Sequence, residues 1–155
     1  MLALGAIGLV VAVVQHGAWA TMPGLPDLSL ALLAWAVVDG DEDHLPHRAL
    51  LLGVVNDLTD PGSTGFQTVT AALVALAAIF ARQVLFRARL AAWFLGGTLI
   101  WLFVAVADLP MSGLGDHAGW TALIEALGTG AAAAAFGWLL GGLPTRWRPI
   151  APAGA

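Results

Sequence analysis

Polar side chains that interrupt an apolar chain are the first candidates for chemistry. The stretch from Gly53 to Gln67 lies between two apolar runs and carries Asn56, Asp57 and Gln67. Ionisable groups in such surroundings are costly, so they mark functional sites or bonds between helices. Asp57 closes a helical segment, and two interpretations stand. In the first, Asp57 hydrogen-bonds a partner helix or holds a re-entrant turn. In the second, Asp57 lies near the membrane interface and bonds neighbouring backbone amides. Asn56 can bond across helices.

A turn is predicted directly after this segment. Pro61 presets its backbone angle, and Gly62 permits a positive one. Gly65 then leads into the next apolar helix. The turn therefore separates two helices at one end of the molecule.

Glu125 lies about one and a half turns inside the last apolar segment. A carboxyl group there must be protonated, paired or facing a cavity. No arginine is expected on that side, so we expect pairing with polar groups such as Asn56, Gln67 or Thr70. A proton-relay role is the alternative.

The last apolar segment is also rich in small residues. Small residues four apart let helix backbones approach closely, which drives packing inside a membrane. We expect packing within the chain, and a face for another protein is the alternative. The predicted packing residues are Gly128, Gly130, Gly137 and Gly141.

No catalytic or metal-binding arrangement is predicted. His44 and His47 lie near Asp41 and Asp43, but Pro46 interrupts their spacing, and we interpret the group as a solvated loop. The chain has no cysteine, and it contains no nucleophile elbow, phosphate-binding loop or HExxH motif. We therefore expect a protein that is not an enzyme and that binds no cofactor and no metal.

The composition indicates an all-α integral membrane protein. Of the 155 residues, 59% are hydrophobic and 10% charged, against about 25% charged in soluble domains. The net charge of −4 argues against nucleic acid as a partner. We predict one polytopic domain over residues 1–143 and a short disordered cytoplasmic tail over 144–155.

Hydropathy predicts six membrane segments. The second and third are shorter than the roughly 30 Å hydrocarbon core requires, so the bilayer must thin there or the second must be extended by its Pro-rich approach. The hydrophilic stretch 39–48, with its acidic run 39–43, separates these two. The predicted segments are 2–19, 27–38, 49–59, 66–86, 90–109 and 120–143.

The arginines predict the orientation. With both termini in the cytoplasm, all of them fall on the cytoplasmic side, as the positive-inside rule prefers. Acidic residues contribute little to that rule. The arginines are Arg48, Arg82, Arg87, Arg89, Arg146 and Arg148.

Several of these residues together resemble the bacterial rod shape-determining protein MreD family. The resemblance is carried by Pro26-Asp27-Leu28 before the second segment, the run from Gly53 to Leu58 in the third, and Gly65 before the fourth. It covers roughly residues 23–80, and the rest agrees only in hydropathy. The acidic run 39–43 departs from the more basic loop of the family.

The resemblance implies a non-enzymatic inner-membrane subunit of the cell-elongation complex. Such a protein binds the scaffold MreC and acts with the actin-like MreB and the peptidoglycan synthases. The resemblance also implies a fold similar to the substrate-binding component of energy-coupling-factor transporters. A vitamin-binding subunit of such a transporter is therefore the alternative function, with Asn56, Asp57, Gln67, Glu125 and Trp120 on its outer side. The third possible function is that of an unassigned structural membrane protein.

Overall fold

The computed structural model describes residues 2–19, 24–39, 42–60, 65–85, 89–112 and 120–140. These ranges are helical apart from short connections, and they contain no strand. The all-α prediction is confirmed for this part of the chain. The helices, in chain order, are α1 (Leu2–Val14), α2 (Leu28–Asp39), α3 (Leu45–Thr59), α4 (Phe66–Leu85), α5 (Arg89–Ser112) and α6 (Trp120–Leu140).

Helix α1 changes character at its C-terminal end. It continues into a kinked turn, Gln15–Trp19, in which the backbone of Gly17 leaves the helical region, and this turn is called the π turn below. The π turn presents Gln15 and His16, the only polar pair of the first apolar segment, to the rest of the protein.

Two helices are longer than the sequence predicted. Helix α3 begins at Leu45 rather than at Ala49, with Pro46 in its first turn, where a missing N–H removes no helical hydrogen bond. Helix α5 continues through Pro110 to Ser112. The predicted ends of the fourth and sixth segments, at 86 and 143, lie beyond the described ranges.

The prediction of a hydrophilic loop over residues 39–48 is wrong at both of its ends. Asp39 is the last residue of α2 and is buried, because neighbouring helices enclose this end of α2. Leu45 to Arg48 already belong to α3. Asp43, His44 and His47 are exposed, as expected for the solvated part.

Helix α2 is the centre of the fold. Every residue from Leu30 to Asp39 is at most 7% exposed, because α2 packs against α1, α3, α4, α5 and α6. A helix that is apolar on all sides belongs in a core. Helix α2 is about 18 Å long at 1.5 Å per residue. The surrounding helices cover its sides.

Two helix pairs pack around α2 at unusually close range. A methyl group on Gly53 of α3 would lie 2.8 Å from Cα of Thr68 in α4. A methyl group on Gly97 of α5 would lie 2.9 Å from Cα of Gly130 in α6. Helices α4 and α5 share few contacts, so the two pairs are joined mainly through α2.

The predicted packing residues of α6 lie at this close approach. Gly130 and Gly137 face α5, where added methyl groups would overlap Thr98 and the indole of Trp93. Gly128 faces Pro26, 3.3 Å from where its Cβ would lie. Gly141 lies outside the described residues. Gly128, Gly130 and Gly137 therefore pack within the chain.

The outer surface of the described helices is strongly apolar. Every α-helix except α2 exposes large hydrophobic side chains, from Leu2 in α1 to Leu139 in α6. By length and composition, α6 is the one described helix that could cross a membrane. Four shorter apolar segments accompany it, and they are Leu2–Gly17, Leu28–Asp39, Phe66–Ile79 and Leu90–Val106.

Replacing Gly137 by alanine should destabilise the bundle. The added methyl group would overlap the buried ring of Trp93, and overpacking of this kind costs about 1–3 kcal/mol. The matched control is Gly5→Ala, whose methyl group would meet Leu51 at an ordinary 3.7 Å. Thermal unfolding in detergent measures both variants. A Gly137→Ala protein that melts at or above the wild-type temperature contradicts the close α5–α6 packing.

Candidate functional site

The connection into α2 lies along one face of α6. This connection, Gly24–Asp27, is called the strap below. Its backbone N–H of Gly24 donates to Glu125 Oε1 at 3.1 Å, and that of Asp27 donates to Thr129 Oγ1 at 2.9 Å. Glu125 and Thr129 are four residues apart on one helix face, so the strap runs along that face. Gly24 has a φ of +81°, which glycine adopts without strain.

The side chains around the strap also complete the N-terminus of α2. The N–H of Leu28 donates to Gln15 Oε1 of the π turn at 2.9 Å. The N–H of Leu30 donates to Asp27 Oδ1, also at 2.9 Å. The first N–H groups of a helix have no partner within it, and Asp27 is an effective cap for them. Gln15 of the π turn and Asp27 of the strap thus accept hydrogen bonds from amides that have no partner within α2.

His16 and Asn56 join the π turn to α3. His16 Nε2 lies 3.2 Å from Asn56 Oδ1, and the Nε2–H tautomer donates this hydrogen bond. Asn56 is buried. Asn56 therefore bonds across helices, in the manner that the sequence analysis described for it.

Asp57 caps α4 across the predicted turn. Its Oδ1 accepts from the N–H of Gln67 at 3.1 Å, and its Oδ2 accepts from the N–H of Thr68 at 2.8 Å and from the hydroxyl of Thr68. A carboxylate here also complements the positive end of the α4 dipole. This geometry combines elements of both interpretations of Asp57, because it bonds backbone amides and those amides belong to the neighbouring helix α4. Gln67 takes part through its backbone.

The rest of the turn is described in part. Helix α3 ends where the N–H of Asp60 donates to the carbonyl of Asn56 at 3.0 Å. Gly65 has a φ of +85°, and its carbonyl accepts from the N–H of Val69, which starts α4. Pro61 and Gly62 lie outside the described residues.

The expected partners of Glu125 are wrong. Its described bond goes to the backbone of Gly24 and not to Asn56, Gln67 or Thr70. Asn56 bonds His16, and the hydroxyl of Thr70 donates to the carbonyl of Phe66 in its own helix. A backbone amide is a good partner for a carboxylate, and sequence alone gives no sign of which amide will be near.

Six side chains from four parts of the chain form one polar layer, in which Asn56 and Thr129 are buried and the others partly buried. These side chains lie at a similar height along the bundle, near the strap. They are Gln15, His16, Asp27, Asn56, Glu125 and Thr129. His16 and Glu125 also lie near Asp27. In the described part of the chain, no group of three or more His, Asp or Glu residues is arranged to hold a metal ion. Most hydrogen bonds of this layer hold backbone amides of the strap and of the first turn of α2.

Sequence reasoning missed Gln15, His16 and Thr129. A signal for the first two was present, since they are adjacent polar residues in an otherwise apolar segment. Thr129 carried no such signal, because threonine is tolerated in apolar helices and its partner is a backbone amide.

Asp57→Ala should lower the stability of the protein. The variant loses all three hydrogen bonds at the start of α4, and removal of a helix cap costs about 0.5–2 kcal/mol. Thr68→Val is the graded control, since it removes the hydroxyl and keeps both amide bonds. Thermal unfolding should rank wild type above Thr68→Val and Thr68→Val above Asp57→Ala. Equal melting of Asp57→Ala and wild type would show that the cap is dispensable.

No protein-family model, curated protein or solved structure matches this chain. The resemblance to the rod shape-determining protein MreD family stays a prediction.

Proposed function

We propose that the protein is a multi-pass inner-membrane protein with both termini in the cytoplasm. The exposed large apolar side chains on five of the six helices support this, because extensive exposed apolar surface marks a membrane or protein contact. Trp120 and Trp138 are 80% and 76% exposed and lie about 27 Å apart along α6. That spacing suits tryptophans at the two bilayer interfaces.

The polar layer agrees with this placement. The helices of the bundle alternate in direction, so one side of it holds four helix ends. These are the C-terminal ends of α1 and α3, the N-terminal end of α2 and the N-terminal part of α6. Arg48 lies near the start of α3, toward the other side. The layer would then be on the outer side and the arginines on the cytoplasmic side.

Labelling of single cysteines from outside the cell tests the orientation. Substituted cysteines at Ser63 and Ser112 should react with an impermeant maleimide, while those at Ala88 and Ala153 should be spared. Ser112 ends α5, and the other three positions lie outside the described residues. Permeabilised cells provide the control that every position can react. Labelling of position 88 in intact cells would overturn the topology.

Within the membrane, we propose a non-enzymatic subunit of the cell-elongation complex that binds an MreC-like scaffold. The observation that carries this proposal is the structural role of the residues behind the resemblance. Asp27 caps α2, Gly53 permits the α3–α4 approach, Asp57 caps α4, and Gly65 supplies a positive φ. All four set the geometry of the two short helices, so a shared pattern here implies a shared fold.

The place for a single-span partner helix is the exposed ridge of α3. Leu50, Val54 and Leu58 are four residues apart and are 40%, 42% and 80% exposed. Helix α3 is about 22 Å long, which is shorter than the hydrocarbon core. A partner helix on this ridge would cover apolar surface that lipid covers poorly. The cap at Asp57 fixes the end of that ridge.

The alternative is a small-molecule-binding subunit of an energy-coupling-factor transporter. The polar layer lies where such a ligand would bind, and this favours the alternative as a second candidate. However, Asn56, Asp57 and Glu125 already bond other parts of the chain. This engagement favours a structural role for the layer.

Co-purification with an MreC-like scaffold separates the two functions. Asp57→Ala should insert normally and recover several-fold less scaffold, because the end of the α3 ridge loses its tie to α4. The matched control is Asp43→Ala, which removes an exposed carboxylate away from this turn. Normal scaffold binding together with loss of small-molecule uptake would favour the transporter. Normal scaffold binding alone would also contradict the proposed docking ridge.

A further inference from the structure

We propose that the groove between α4 and α5 binds an anionic phospholipid. The phosphate lies at the arginine-rich segment 82–89, which joins the two helices, and an acyl chain lies along the groove. The assignment of this lipid to the cytoplasmic leaflet rests on the proposed orientation of the protein. A lipid site on this face goes beyond the proposed function, which concerns a scaffold on the α3 ridge.

The groove lies where two helices that follow each other in the chain fail to pack. Three residues connect α4 to α5, so Leu85 and Arg89 are at most about 15 Å apart. Such short connections join helices that are usually antiparallel neighbours. Helix α4 nevertheless packs mainly on α3, and α5 packs mainly on α6, so the two share few contacts. A gap therefore remains between them along most of their length.

Helix α2 closes the floor of this gap. It contacts both α4 and α5, and its residues from Leu30 to Asp39 are at most 7% exposed. The gap is therefore a shallow groove on the outside of the bundle and not an opening into the core. A ligand that lies in it must be thin and apolar, as an acyl chain is.

An exposed apolar strip of α5 forms one rim of the groove. Leu95, Leu99 and Phe103 are four residues apart and are 45%, 52% and 44% exposed. They lie next to the side of α5 that faces α2, since a methyl group on Gly96 would lie 3.2 Å from Val38 of α2.

A strip of α4 forms the other rim. Leu73 is 49% exposed, and Ala77, four residues on, is exposed as well. Both lie away from Ala71, which meets Gly53 of α3, and Ala77 lies one turn from the buried Val74. An acyl chain in the groove would cover both strips.

The charge at one end of the groove selects the headgroup. Three of the six arginines of the chain lie within residues 82–89, with Arg82 in the last turn of α4 and Arg89 at the start of α5. The sequence between Asp60 and Asp108 contains no acidic residue. Arginine bonds phosphate through two N–H groups at once, and basic groups between membrane helices on the cytoplasmic side bind anionic headgroups. An anionic phospholipid supplies both the phosphate and the chain.

Native mass spectrometry of the full chain in detergent tests the headgroup. The micelles contain equal amounts of dioleoyl phosphatidylglycerol and dioleoyl phosphatidylcholine, which have the same chains and differ in charge. The wild type should retain one phosphatidylglycerol. Arg82→Gln combined with Arg89→Gln should weaken its binding about 25-fold, at about fivefold for each arginine. The matched control is Arg146→Gln combined with Arg148→Gln, which removes the same charge from the C-terminal tail and should change nothing.

A second pair of variants tests the chain. Ala77→Phe places a ring in the groove and should lower the retention of phosphatidylglycerol several-fold. The matched control is Ala72→Phe, which adds the same ring to an exposed position on another face of α4 and should leave retention unchanged.

Four results would overturn the proposal. Equal retention of the two lipids by the wild type means that the arginines select no headgroup, as when the acidic run 39–43 satisfies them. An equal loss in the tail variant means that cytoplasmic charge acts in general. Unchanged retention in Ala77→Phe means that the groove holds no chain. Complete displacement of the lipid by inorganic phosphate means that the headgroup alone is held.

The test remains decisive where a variant does not fold. If the double variant at positions 82 and 89 fails to fold, the comparison of the two lipids on the wild type decides on the headgroup. The measurement in detergent does not depend on the orientation of the chain. A negative result therefore contradicts the lipid site and leaves the outcome of the cysteine labelling as it stands.

Discussion

A backbone N–H or C=O buried away from water must find a partner, and at the start of α2 the helix cannot supply one. The strap and the first turn of α2 lie between α1 and α6, and side chains from both accept their hydrogen bonds. Gln15 accepts from Leu28, Thr129 from Asp27, and Glu125 from Gly24. These hydrogen bonds between backbone donors and side-chain acceptors determine the position of α2. The arrangement of the surrounding helices depends on that position.

Enclosure of α2 explains the close packing elsewhere. A single short helix can be covered on all sides only if its neighbours are themselves packed tightly, and glycine makes that possible. Gly53 brings α3 against α4, and Gly97 and Gly130 bring α5 against α6. The two pairs then close over α2, while α4 and α5 barely meet.

The sequence predicted the helices well and the contacts less well. Hydropathy placed all six segments, and the polar residues at segment ends pointed to Asp57 and to the turn at Gly65. The central position of α2 was beyond reach, because a short apolar segment reads the same whether lipid or protein covers it. The partner of Glu125 was mistaken for a side chain, since a carboxylate bonds equally well to a backbone amide that leaves no mark in the sequence. Asp39 was assigned to solvent because an acidic residue next to other acidic residues resembles a loop.

The strap also constrains the order in which the protein can assemble. Two of the acceptors for the approach to α2 belong to α6, which follows α2 in the chain after three other helices. Until Glu125 and Thr129 have been synthesised, the amides of Gly24 and Asp27 must bond water instead. The packing around α2 is therefore completed only after α6 has been made.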